Sequence, residues 1–359
     1  MTEQISYTIR KARPEDAPQL TKLVRDAILG YPFESVYDPV QVAQAIIDGE
    51  YRLVAISEPL GNIIATAVLG ISQETPMSEI KRVAVDTSTR KKGIARKLSQ
   101  DLSIEAQNIN SIPWADVRAD QIGMQRAALP AGLRPISLEP GKHVVYSHQH
   151  AFVDQGPARE TMVHMSNLQL DSDLLVQDLS RWQKEWLNLL VNNMEMSFSP
   201  SNKDPKVVAR HLSSALLTKE AITKRLNVDE NETLTVINSD VVLISSQGGQ
   251  IVIIKPDASG FIETPNNIDR LIRISELAGL QIVTAYCDIS DICTSTKLAQ
   301  AGMQPAMIRP WKKTHSSVGS WQAGWRTTMN GYDYCLHQIC LYPEIYVSLH
   351  ELLNKIKNV

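Results

Sequence analysis

The chain has 359 residues, of which 43% are hydrophobic and 21% charged, with a net charge of −3 at pH 7. One hydrophobic core rarely grows that large, so two domains are expected. The near-neutral balance gives no electrostatic reason for nucleic acid or an anionic membrane as a partner, and no apolar run is long enough to span a bilayer. The opening Met1-Thr2-Glu3-Gln4 lacks the basic and apolar regions of an export signal, which points to the cytoplasm. The cysteines (Cys287, Cys293, Cys335 and Cys340) match no zinc spacing and are expected to be reduced, so no metal is expected.

In chain order, Tyr7 to Arg10 reads as a strand. Leu20, Leu23, Val24 and Ala27 recur at helical spacing after Pro14-Glu15-Asp16. A second helix is expected over Pro39 to Asp48. Tyr51 to Ser57 and Ile63 to Ile71 flank Gly61-Asn62 as a hairpin, and Glu79 to Asp86 is a further strand. Arg90 to Gln107 is helical, with Ile94, Leu98 and Leu102 on one face. Trp114 to Arg118 is a strand, and Gly123 to Ala131 a short helix closing at Gly132. Two strands, Arg134 to Leu138 and His143 to His148, complete a mixed α/β unit over 1–153.

Asp154 to Glu160, with Gly156-Pro157, reads as a linker to a second unit over 160–359. In it, Met162 to Met165 would be a strand and Leu174 to Met194 one long helix. Strands follow at Leu234 to Ile237, Val241 to Ser245, Gln250 to Lys255 and Gln281 to Tyr286. A helix covers Asn267 to Ala278, and another ends at Gly302. Ala131-Gly132-Leu133-Arg134-Pro135 parallels Ala301-Gly302-Met303-Gln304-Pro305, each after a short helix, and suggests an internal duplication. A shared helix-ending glycine could also arise by itself.

The stretch richest in chemistry runs from Glu79 to Leu98, a buried strand leading into a helix whose first turn contains Gly93, Ile94 and Ala95. A helix N-terminus presents unpaired N–H groups and a positive dipole end. Gly93 and Ala95 let a ligand approach the backbone, while Lys91 and Lys92 add positive charge. Cations there oppose the dipole, and a bound pyrophosphate would remove the conflict. The loop is neither a P-loop nor a dinucleotide fingerprint.

Arg90-Lys91-Lys92-Gly93-Ile94-Ala95 satisfies Arg/Gln-x-x-Gly-x-Gly/Ala, the cofactor signature of the GNAT superfamily of N-acetyltransferases, which residues 1–150 also resemble in element order. The resemblance implies an acyl-CoA N-acyltransferase fold, a mixed twisted sheet flanked by helices. It implies that the amides of Lys91 to Ala95 hold the pyrophosphate of acetyl-CoA or another acyl-CoA, with Arg90 part of the same loop. It further implies that the strand Val83-Ala84-Val85 pairs with the pantetheine arm. Glu79 then stands where such enzymes often place a general base, although pairing with Lys81 would explain it equally. The tyrosine that often assists the departing thiolate is absent: Ala128 occupies its position. Tyr146, or less directly His148, could substitute.

No such signature recurs in the second half, where Lys255-Pro256 to Pro265 fills the corresponding loop and proline removes amide donors. That half is expected to have kept the fold and lost the cofactor. The aromatic tail with Trp321, Trp325, Tyr332, Tyr334 and Tyr342 is expected to pack on the sheet or line an acceptor pocket, ahead of an amphipathic helix over Leu349 to Lys357. The function implied is acyl transfer to the amine of a small molecule or peptide. A non-catalytic acyl-CoA-binding protein, or an enzyme taking its acyl group from a carrier protein, are the alternatives. A homo-oligomer is compatible with the sequence.

Overall fold

The computed structural model describes residues 6–28, 34–58, 60–71, 77–144, 159–167, 172–198, 241–245, 250–254, 282–314, 317–328 and 341–359. The first elements are β1 (Tyr7–Lys11), α1 (Ala17–Ala27), α2 (Pro39–Ile47), β2 (Tyr51–Ser57), β3 (Ile63–Ile71) and β4 (Met77–Val85). They continue with α3 (Ile94–Asn108), β5 (Ile112–Arg118), α4 (Ile122–Ala128), β6 (Arg134–Val144) and β7 (Arg159–Ser166). Together the strands form a seven-stranded, mostly antiparallel sheet in the order β1-β2-β3-β4-β5-β7-β6, with β4 and β5 parallel.

Helices cover both faces of this sheet. On α3, Ile94, Leu98, Leu102 and Ala106 lie one turn apart and are buried against strand residues such as Ala65, Ala115 and Val117. On α1, Leu20, Leu23 and Val24 pack with Val42 of α2 and with Val54, Ile63 and Ala84 of the sheet. Each fully buried Leu or Ile contributes about 1.5–3 kcal/mol relative to exposure.

The second half supplies α5 (Ser172–Leu179), α6 (Lys184–Phe198), β8 (Val241–Ser245), β9 (Gln250–Ile254) and β10 (Ile282–Asp288). After these come α7 (Ile292–Gln300), β11 (Gln304–Thr314), β12 (Ser317–Thr328) and α8 (Pro343–Lys357). Its five strands run β11-β12-β10-β9-β8. Read from β8, the pairings are antiparallel, parallel, antiparallel and antiparallel. From β3 through β4, β5 and β7 to β6, the first sheet has the same series. Gly132 and Gly302 both adopt positive φ, 85° and 80°, each between a short helix and a strand.

Three elements differ from expectation. Arg134 to Val144 is one strand rather than a strand ending at Leu138, and its pairing with β7 passes Pro140-Gly141 by a register shift between Glu139 and His143. The strand around Met162 to Met165 does not open the second sheet. It enters the first, between β5 and β6, where every residue from Thr161 to Ser166 is buried. The long helix over Leu174 to Met194 is two helices, because Trp182 turns inward between them and donates its indole N–H to the Ile289 carbonyl at 2.7 Å. Trp182 and Trp186 meet Trp325 of β12 with ring centroids 5.6 and 5.3 Å apart, and Trp321 and Trp325 are fully buried, so these two aromatics are core. The strand at Leu234 to Ile237, the helix at Asn267 to Ala278, Tyr332, Tyr334, Cys335 and Cys340 lie outside the described residues. Cys287 is buried and Cys293 exposed.

Candidate active-site cleft

The parallel pair β4–β5 holds together at Met77–Ile112, Ser78–Pro113 and Glu79–Trp114. Beyond Glu79 the two strands separate. Within β4, Arg82 has φ of 52°, and the pairing with β3 shifts register between Thr66 and Val68, which marks a β-bulge. The bulge is held by ion pairs: Arg82 Nη1 lies 2.9 Å from Glu50, whose other oxygen is 2.7 Å from the buried Arg52. A cleft of about 1180 Å³ fills the opening, walled by β4, β5, α4 and the N-terminus of α3.

Gly93 is the N-cap of α3, with φ of 80°, and a Cβ built there meets nothing within 4 Å. Its backbone therefore stands open to the cleft, beside N–H groups of the first turn that have no intrahelical acceptor. Lys91 also has positive φ, 65°. Upstream, the Asp86 carboxylate accepts from the Ser88 N–H at 2.9 Å and shapes the turn. The Arg90 guanidinium donates to the Ala27 carbonyl at 3.0 Å, tying the loop to α1.

Of the residues expected to hold a cofactor, Val83, Val85, Arg90, Lys91, Gly93, Ile94 and Ala95 line the cleft. Ala84 faces away into the core beneath α1, and Lys92 is not on the cleft wall. Glu79 closes the narrow end of the opening, half-buried, 3.2 Å from Lys81. Gly70, opposite Glu79 on β3, allows this contact, since a Cβ there would stand 2.7 Å from Lys81 Nζ. The cleft wall begins one residue past Glu79, at Ile80. Ala128 contributes only a methyl to the lining. Tyr146 and His148 lie outside the described residues.

Sequence reasoning missed Asp116, the carboxylate on the β5 wall. It contacts His164 Nδ1 and Lys142 Nζ. His164 Nε2 lies 3.0 Å from Glu139, which also meets Lys142 at 3.1 Å. Two groups of the second sheet reach the same carboxylate. Tyr286 donates its hydroxyl and Arg326 its guanidinium N–H to Glu139, both at 2.7 Å. Arg309 lies over the Tyr286 ring at 3.7 Å.

Burial would raise both carboxyls, but Lys142 and His164, and for Glu139 also Arg326, outweigh it and hold both well below the usual range. Burial disfavours charge on His164 too, yet the contacts to Asp116 and Glu139 raise its pKa. Burial and the Glu139 charge push Tyr286 up to about 12. The alternation of Trp114, Asp116 and Arg118 along β5 could have placed Asp116 on the face away from α3. Nothing local pointed to Glu139 or His164.

Residues 18–129 match the Acetyltransferase (GNAT) family. This segment is a GNAT domain. No curated protein matches the chain. Among solved structures, the ribosomal-protein-S5-alanine acetyltransferase from Vibrio fischeri is similar at 14% identity, covering 48% of this chain and 96% of that one, with a TM-score of 0.37. The putative acetyltransferase yncA from Salmonella typhimurium, solved with acetyl-CoA, aligns at 20% identity over 46% of this chain and 95% of its own, TM-score 0.37. A phosphinothricin acetyltransferase from Sinorhizobium meliloti, solved in complex with AcCoA, does so at 15% identity over 46% and 88%, TM-score 0.36. The matched GNAT segment contains β4, α3, β5 and α4, and so most of the cleft. It excludes β6, β7 and the second sheet. Among the described residues, no helix is long and apolar enough to cross a membrane, and no group of His, Cys, Asp and Glu is arranged to hold a metal.

Proposed function

We propose that the GNAT domain transfers an acyl group, most simply acetyl, from a coenzyme A thioester to the amine of a small molecule or peptide. The observation that carries this reading is the opening of β4 from β5 directly beside the exposed N-terminus of α3. A pyrophosphate suits the α3 N-terminus, and an extended arm suits the opened strand edge of Val83 and Val85. The residues present fit the group: Gly93 leaves backbone accessible, and Arg90 fixes the loop.

In this reading the amine nitrogen, once deprotonated, attacks the thioester carbonyl. The C–S bond breaks and the thiolate takes up a proton, so the net reaction from an ammonium releases one proton. Glu79, at the narrow end of the opening, receives the amine's proton through a water. With an acceptor found by screening amines, Glu79→Gln should lower kcat/KM about a hundredfold near neutral pH. An unchanged pH–rate profile would remove Glu79 from the mechanism.

We further read the chain as a duplicated GNAT fold with one working donor site, the first unit extending to β7. Among the described residues, strand β9 stays paired with β10 along its length, from Gln250–Ile282 through Ile254–Tyr286, whereas β4 leaves β5 within its own length. Calorimetric titration with acetyl-CoA should therefore give one site per chain, and a stoichiometry of two would overturn the assignment. Ala128 in the cleft wall favours one competing reading, acyl-CoA binding without transfer. Binding with no thiol release in the presence of any amine screened would support it.

A further inference from the structure

The cleft is not completed by the matched GNAT segment. Tyr342 and Glu344, at the start of α8, form part of its wall. Four contacts fix the position of Tyr342. The Tyr342 N–H donates to Gln125 Oε1 at 2.7 Å. Gln125, fully buried on α4, donates its side-chain amide to the carbonyls of Arg118 at 3.3 Å and Ala119 at 3.2 Å. Arg126 lies over the Tyr342 ring at 5.9 Å. These bonds place Tyr342 beside the outer end of β5. Trp114, at the narrow end where the acyl group would react, is four residues back along that strand.

Resting on the donor reading above, we propose that Tyr342 and Glu344 form the wall that receives the nucleobase of the acyl-CoA. The outer end of the cleft must hold whatever the donor carries beyond its pyrophosphate, which for coenzyme A is a 3′-phosphoadenosine. Tyr342 presents an aromatic ring there, already engaged by a cation on one side, and base–aromatic stacking suits such a surface. Glu344 is exposed at the same wall. A carboxylate repels phosphate but accepts from the exocyclic amino group of a base, so the base rather than a phosphate turns toward it. The C-terminal segment thus decides which nucleotide handle the GNAT domain accepts. An acyl chain on a bare phosphopantetheine arm would forgo this contact.

Calorimetry with acetyl-CoA and with S-acetyl-4′-phosphopantetheine, which lacks the nucleoside, tests the assignment. Tyr342→Leu, which keeps apolar bulk under α8, should bind acetyl-CoA about tenfold more weakly, whereas Tyr342→Phe should bind as the wild type does. Neither substitution should alter binding of the acyl-phosphopantetheine. Wild-type affinity for acetyl-CoA in Tyr342→Leu would overturn the proposal, as would equal weakening of both ligands. A melting temperature for Tyr342→Leu more than a few degrees below wild type would shift the comparison to Glu344→Ala, an exposed position where the acceptor is removed without adding a cation, for which the same selective loss is expected and its absence is decisive. Failure of the wild-type protein to bind acetyl-CoA would instead sink the donor reading itself.

Discussion

Gly93→Val is expected to reduce acetyl-CoA affinity at least about a hundredfold while leaving a folded protein. Two effects act at this residue. Its φ of 80° is strained for a β-branched side chain, costing about 1–2 kcal/mol. The added atoms also project into the open space that the donor's pyrophosphate would occupy, since a Cβ there touches no protein atom within 4 Å. The strain lowers the melting temperature modestly, because no core contact is lost. Calorimetry and thermal unfolding separate the two effects. A folded Gly93→Val variant that binds acetyl-CoA as tightly as wild type would show that the donor lies elsewhere.

Arg326→Met should be the most destabilising of the substitutions considered, by about 3–5 kcal/mol, because it removes one partner from a buried ionic group. Glu139 is completely buried, and Arg326 Nη2 lies 2.7 Å from it. Pairing the change with Glu139→Gln should recover part of the loss, a coupling that a double-mutant cycle measures directly. Simple additivity would mean that the contact between the sheets contributes little.

The same cluster sets a pH dependence. Asp116 and Glu139 are held below their ordinary pKa, so their contribution is present above the unfolded carboxylate range and is lost as pH falls through the lowered values. His164 is raised, so its contribution is complete below the unfolded histidine value and is lost as pH rises through the raised one. Melting temperature should therefore be highest between roughly pH 5 and 6.5 and decline on either side. Glu139→Gln should flatten the acid limb, and an unchanged acid limb would remove Glu139 from it.

What could be read in the sequence was what is contiguous. Strand, turn, Gly93 and the apolar stripe of α3 fall within about thirty residues, and periodicity with turn chemistry suffices to place them. Contacts between distant residues were not legible. Strand β7 enters between β5 and β6 across the break that Gly156-Pro157 suggested, and its unbroken burial carries no alternation to say which sheet it joins. Asp116 and His164 are 48 residues apart, Glu139 and Arg326 187, and Gln125 and Tyr342 217. A charged residue on a strand reads as solvent-facing unless its partners are known; Glu79 stood out because the resemblance places a base there, and nothing comparable singled out Asp116. Tyr342 read as one more aromatic in a core-forming tail, and only its bond to Gln125 places it in the cleft wall.

The separation of β4 from β5 also works as a ruler. From the last closed pair at Glu79 the open edge of β4 runs to Val85, six residues, or about 20 Å at roughly 3.3 Å per residue. A donor anchored by its phosphates at α3 must present its reactive carbon near the closed end, so its arm has to be extended and of about that reach. Arms much shorter stop before Glu79, and longer ones must fold where one strand's width is available. Selectivity for the carrier would then be a matter of span, set by where a single pair of strands stops bonding.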